Sequence, residues 1–369
     1  MKMPIDAIRE EIQKSGAIPF ARFMELALYC PKTGYYERYR DSVGQRGDFI
    51  TSVSTGRLFG ELLAFQFAAW LEELHSSLAT RHASPCLIEA GAHDGKLACD
   101  VLGWLEKYRP ELFARLEYWI MEPSPKRQQW QRETLKPFTN VRWITDFEDL
   151  KIKTQTSKPG GVLFSNELLD AFPVHRFGWD APGNRWFEWG VALADEKFCW
   201  TKIESPALPS AIAHLPFALL SVLPDGYILE VSPAAEGWWR AAAGIFTRGK
   251  LLAIDYGFSA AEQIAPAREN GTLRAYFRHQ VSDDLLAQPG EQDLTAHVNF
   301  PAIQQAGEAT GLTTELFCTQ PQFLTRILQK TLMDKSFVDW SAPRARQFQT
   351  LTHPEHLGRA FRVLVQSRS

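Results

Sequence analysis

The chain has 369 residues, 45% hydrophobic and 22% charged, with a formal net charge of −3. That length holds one large domain with insertions or two domains, and the balance is that of an ordinary globular protein rather than a disordered or fibrous one. The charge gives no electrostatic reason to expect nucleic acid, and no apolar run approaches the length that spans a bilayer.

The five cysteines, Cys30, Cys86, Cys99, Cys199 and Cys318, are scattered and form no C-x-x-C. This argues against a disulfide framework or a zinc site and predicts a reducing compartment. Residues 1–14 alternate charged and apolar side chains without a signal-peptide core, so the cytoplasm is the expected location, with no membrane insertion.

Residues 1–82 read as a mostly helical N-terminal region. Ile5, Ile8 and Ile12, then Phe20, Phe23 and Leu26, recur near helical spacing. A loop follows at 44–52, in which Gly47, Asp48, Thr51 and Ser52 can offer hydrogen bonds to a ligand or simply turn the chain at the surface. A strong helical pattern then runs from Gly60 to Leu78.

An α/β core is expected over 83–369. Cys86 to Ile88 is an apolar run suited to a buried parallel strand, Glu89 stands at its end, Gly91 and Gly95 make a tight loop, and Leu97, Val101, Leu102 and Leu105 mark one helix face. Strand, acid, glycine loop and helix form the arrangement by which open α/β sheets hold nucleotide-like ligands. The dinucleotide fingerprint would need glycines at 91, 93 and 96, and His93 and Lys96 break it. The pattern acid-x-G-x-G-x-G fits Glu89, Gly91 and Gly95, with only His93 departing.

Tyr118 to Glu122 reads as a second strand ending in an acid positioned for ribose hydroxyls. Val141 to Ile144 is a third strand, and Asp146 beyond it suits either an adenine amino group or a helix cap. Val162 to Phe164 is a fourth, followed by Asn166, Glu167 and Asp170 where such sheets carry their chemistry. From 174 to about 224 the aromatic alternation predicts an antiparallel β insertion. Further strands are expected at 227–231, 250–257 and 362–365.

Several stretches taken together resemble the MidA-like S-adenosylmethionine-dependent methyltransferases. They are Thr33 to Tyr36, Gly47 to Ser52, the Glu89 loop, Glu122 to Ser124, Asn166 to His175, Glu230 to Pro233, Ile254 to Gly257, Asp293 to Val298 and Leu351 to Glu355, in order along nearly the whole chain. Mitochondrial members of that family assist assembly of respiratory complex I and methylate an arginine in one of its subunits. The resemblance implies a class I (Rossmann-like) methyltransferase sheet, a helical N-terminal part over the cofactor and a substrate-side insertion. It also implies S-adenosyl-L-methionine as cofactor and a protein arginine as acceptor. Cofactor contacts are then expected from Gly47, Asp48, Thr51, Ser52, Glu89, Gly91, Gly95, Glu122, Asp146 and Asn166.

An arginine nucleophile is protonated in water, and paired carboxylates can hold its guanidinium and aim one nitrogen. Glu167 and Asp170 are the candidate pair, with Asn166 and His175 beside them as catalytic or orienting groups. Asp255, His279 and His297 are further possible bases. A small-molecule O- or N-methyltransferase, or a non-catalytic assembly factor with a vestigial pocket, remains compatible with the same residues. Nothing in the sequence indicates the oligomeric state.

Overall fold

The computed structural model describes residues 3–38, 51–76, 84–154, 160–203, 208–213, 215–277, 280–282, 284–334, 337 and 340–368. The apolar runs at 86–88, 118–121, 141–144, 162–164 and 250–257 become strands of one sheet. We number seven of its strands in chain order: β1 (Cys86–Ala90), β2 (Glu117–Met121), β3 (Val141–Ile144), β4 (Gly160–Asn166), β5 (Arg248–Phe258), β6 (Thr313–Thr319) and β7 (Phe361–Arg368). Across the sheet they run β6-β7-β5-β4-β1-β2-β3. Strands β1 to β5 pair in parallel, and β7 runs antiparallel to both β5 and β6. The order reverses between β1 and β4, so the carboxyl ends of these two strands flank the switch-point crevice.

Every residue of β1 is buried, which explains why it is an apolar run and not an alternating one. The Leu58–Leu74 helix is buried on nearly all sides through Leu62, Leu63, Phe67 and Leu71. Each such side chain contributes roughly 1.5–3 kcal/mol through burial. Gly60 lets this helix approach the Lys96–Tyr108 helix, since a Cβ there would meet the Asp100 Cβ at 2.6 Å.

The chain divides into two compact units. One comprises Val43–Leu168, Trp238–Gly257 and Gln304–Ser369, and contains the sheet above. The other comprises Met1–Ser42, Leu169–Gly237 and Phe258–Ile303. These borders differ from the division expected at residue 82, because residues such as Ala17–Pro19, Phe20 and Phe23 pack with the insertion.

In this second unit, Ala17–Pro19 is a short strand between two helices. It pairs with Arg185–Ala194, which pairs in turn with His175–Asp180 and Lys197–Ile203, all antiparallel. Ile228–Val231 completes that sheet, and Arg274–Phe277 is the centre of a three-stranded one. Ile8, Phe20, Phe23 and Val191 share one of its cores.

Candidate functional site

The loop after β1 is shaped by backbone geometry. Gly91 and Gly95 both take left-handed φ values, 76° and 84°. A Cβ at Gly91 would meet Leu168 Cδ1 at 2.9 Å, a contact that a shift of the leucine tip relieves, so it is the positive φ that calls for glycine here. His93 between them also has positive φ, 46°. Its carbonyl accepts a bond from Gln131 Nε2 at 3.0 Å, and its Nε2 is buried with no hydrogen-bond partner among the described residues.

Glu89 is 2% exposed and accepts a 2.6 Å bond from the Tyr118 hydroxyl on β2. Burial pushes its carboxyl up to about 7, and the Tyr118 bond opposes that only in part. A positive group brought near Glu89 would therefore favour its ionised form.

At the end of β2, Glu122 is buried. Its Oε1 accepts from Ser124 N at 2.9 Å and its Oε2 from Gln131 Nε2 at 3.2 Å, with Arg127 at 3.8 Å. A carboxylate accepts about four hydrogen bonds, so this anchoring orients the group. Gln131 is fully buried and also accepts from Trp143 Nε1 at 2.9 Å. One amide thus fastens the glycine loop to the acid of the neighbouring strand. The sequence reading missed it because it lies on the otherwise polar Pro125–Thr134 helix.

Asp146 is exposed, and its Oδ1 accepts from Asp149 N at 2.8 Å. That is a helix cap, one of the two roles its position suggested.

The turn after β4 is held from several sides. Glu167 has φ 53° and its N–H donates to Ile254 O at 2.9 Å. Its Oε1 accepts from Ser52 N at 3.3 Å and from Asn166 Nδ2 at 3.0 Å. Asp255, fully buried, accepts from Leu168 N at 3.0 Å and from Tyr256 N at 2.8 Å. Both of its oxygens thus brace backbone, which suits an anchor for the turn better than the base suggested by sequence.

Ser52 and Thr51 are buried. Ser52 Oγ donates to Gln320 Oε1 at 3.2 Å, and Thr51 interlocks with Ser54. Gly47, Asp48 and His279 lie outside the described residues.

Asp170 and His175 belong to the other unit. Asp170 is buried, and its carbonyl accepts from Ala296 N at 2.9 Å. His175 Nδ1 lies 2.6 Å from Glu188 Oε1, a buried carboxylate that fixes the ring. His297 takes its backbone N–H to Thr272 Oγ1. Glu230 accepts from Thr272 N at 2.8 Å; burial pushes its carboxyl up, against the pull of Arg176.

The family described as S-adenosyl-L-methionine-dependent methyltransferases matches residues 62–318, more than half the chain. The human protein arginine methyltransferase NDUFAF7, mitochondrial, is 28% identical over 393 residues, covering 95% of this chain and 80% of its own. The Drosophila melanogaster homologue is 26% identical, covering 97% and 83%. A superfamily member from Burkholderia thailandensis, crystallised with S-adenosyl-homocysteine bound, is 30% identical with a TM-score of 0.83, covering 99% of this chain and 92% of that one.

The loop residues fit S-adenosyl-L-methionine. Two glycines allow close backbone approach, an oriented acid follows β2, and a buried imidazole nitrogen has no hydrogen-bond partner among the described residues. The parallel sheet, its switch point and this loop belong together: the chain is a member of the MidA-like family of S-adenosyl-L-methionine-dependent methyltransferases.

Proposed function

We propose that the methyl acceptor is an arginine side chain of a protein, following the resemblance a subunit of respiratory complex I. The observation that carries this reading is the Glu167 carboxylate, fixed at the tip of β4 by Ser52 and Asn166, in a chain similar along its length to named arginine methyltransferases. The free thiols at all five cysteines support a reducing compartment, and we propose the cytoplasm.

When bound, S-adenosyl-L-methionine supplies an electrophilic methyl on a sulfonium. The chain's own work is positioning and charge. A guanidinium stays protonated at physiological pH, so a nitrogen becomes nucleophilic only when its charge is drawn to the other N–H groups and its proton has somewhere to go. Glu167 would grip the guanidinium in a planar pair and receive that proton. Asn166 Nδ2 and Ser52 N hold the carboxylate in place. Asp170 and His175 are proposed as further acceptor-side groups, the latter oriented by Glu188.

The test is incubation with methyl-labelled S-adenosylmethionine and a protein extract, with mass spectrometry locating methylated arginine. Glu167→Gln should abolish the protein label while leaving S-adenosylhomocysteine affinity within a few-fold. Label confined to the low-mass fraction would reject a protein acceptor.

A further inference from the structure

His93 stands where the loop pattern calls for glycine, and it takes the left-handed backbone that glycine adopts without strain. Residues with a Cβ are held in such conformations only where their surroundings fix them, and these sites cluster at ligand clamps. Here the surroundings are Gln131 on the His93 carbonyl and the 2.7 Å bond from Gly95 N to Ala92 O.

The imidazole is mostly buried, 22% exposed. Its Nδ1 is 3.7 Å from Asp94 Oδ1, too far for a hydrogen bond. Its Nε2 is buried with no hydrogen-bond partner among the described residues. His93 Nε2 is one of several buried side-chain atoms in this state among the described residues, and such atoms are completed by a water, an ion or a ligand.

The charges around the loop indicate which ligand group that is. Glu89 and Asp94 are acids suited to the ammonium or sulfonium of the methionyl part. Neither can meet its carboxylate, and Lys96, the nearest cation in sequence, is exposed.

We propose that His93 Nε2 donates a hydrogen bond to the α-carboxylate of the cofactor's methionyl part, so that the residue breaking the glycine pattern is itself a cofactor-binding group. This rests on the methionyl part lying at the 91–95 loop.

The test is calorimetric titration of the full chain with two probes, S-adenosylhomocysteine and 5′-methylthioadenosine. The second keeps the nucleoside and thioether but lacks the amino-acid head. In His93→Gly, S-adenosylhomocysteine should bind about tenfold or more weakly, the loss expected for a hydrogen bond to a charged group. Methylthioadenosine affinity should be unchanged, and the ligand-free thermal midpoint should equal or exceed the parent's, because glycine is at ease at this φ. His93→Asn, a residue that tolerates left-handed backbone with a shorter side chain, should show the same selective loss.

Unchanged S-adenosylhomocysteine affinity in both variants would overturn the proposal. So would equal losses for the two probes, which would signal general damage to the loop. If the parent chain binds methylthioadenosine as tightly as S-adenosylhomocysteine, the placement of the methionyl part at this loop falls, whatever the variants do.

Discussion

Replacing Glu89 with Gln removes a buried charge and keeps the shape. The carboxyl ionises near 4.5 in an ordinary setting and is pushed up to about 7 in the fold by burial beside Tyr118. Between those pH values the folded chain holds a proton that the unfolded chain has released. The stability tied to Glu89 is therefore complete below pH 4.5 and is lost as pH rises through about 7. The gap between the two values corresponds to about 3 kcal/mol.

Glu89→Gln can still accept from the Tyr118 hydroxyl, so it should match the parent in urea unfolding below pH 4.5 and exceed its stability by about 2–3 kcal/mol at pH 8. Asp100 is also pushed up, to about 6, and loses stability with pH in the same direction, but it is common to both proteins and drops out of the difference. At pH 7 the parent should release about half a proton on binding the cationic cofactor, read by calorimetry in buffers of different ionisation heat, and the variant none. A stability difference that stays flat from pH 4.5 to 8 would refute this account of Glu89.

Gln131→Leu would strip partners from the His93 carbonyl, Glu122 Oε2 and Trp143 Nε1 in a buried place, and should lower stability by about 2–4 kcal/mol in denaturant titration while weakening S-adenosylhomocysteine binding. Ser124→Ala loses the cap on Arg127 N and keeps the backbone donor to Glu122, so it should cost about 1 kcal/mol and leave cofactor affinity nearly unchanged.

The central sheet was legible because β1, β4 and β5 are buried on both faces, and continuous apolar runs announce that directly. The acid-and-glycine text after β1 announced the switch point. Roles that depend on a neighbouring element were not legible. Tyr118 looks like one more strand aromatic, yet it holds Glu89 across the β1–β2 pair. Gln131 sits among charged residues on a helix that reads as solvated, and only Leu135 four residues on, buried on the same face, hints that it turns inward. Asp255 lies directly beside the strand-end crevice in sequence, and nothing local says that backbone N–H groups at 168 and 256 claim both its oxygens. Ala17–Pro19 is three residues long and owes its extended form to Gly190–Ala192, a partner no local pattern can name.

That last pairing bears on how the protein can be made. The opening helices and their short strand leave the ribosome more than 150 residues before the strand they join, and the second unit is not complete until Ile303 has followed. Neither unit is a contiguous length of polypeptide, so no single cut liberates a fragment able to fold alone. Long-range closure of this kind slows folding. The nascent N-terminal segment, rich in buried-to-be Phe20, Phe23 and Met24, must meanwhile wait with its apolar face uncovered, which makes it the place where a chaperone would first be needed.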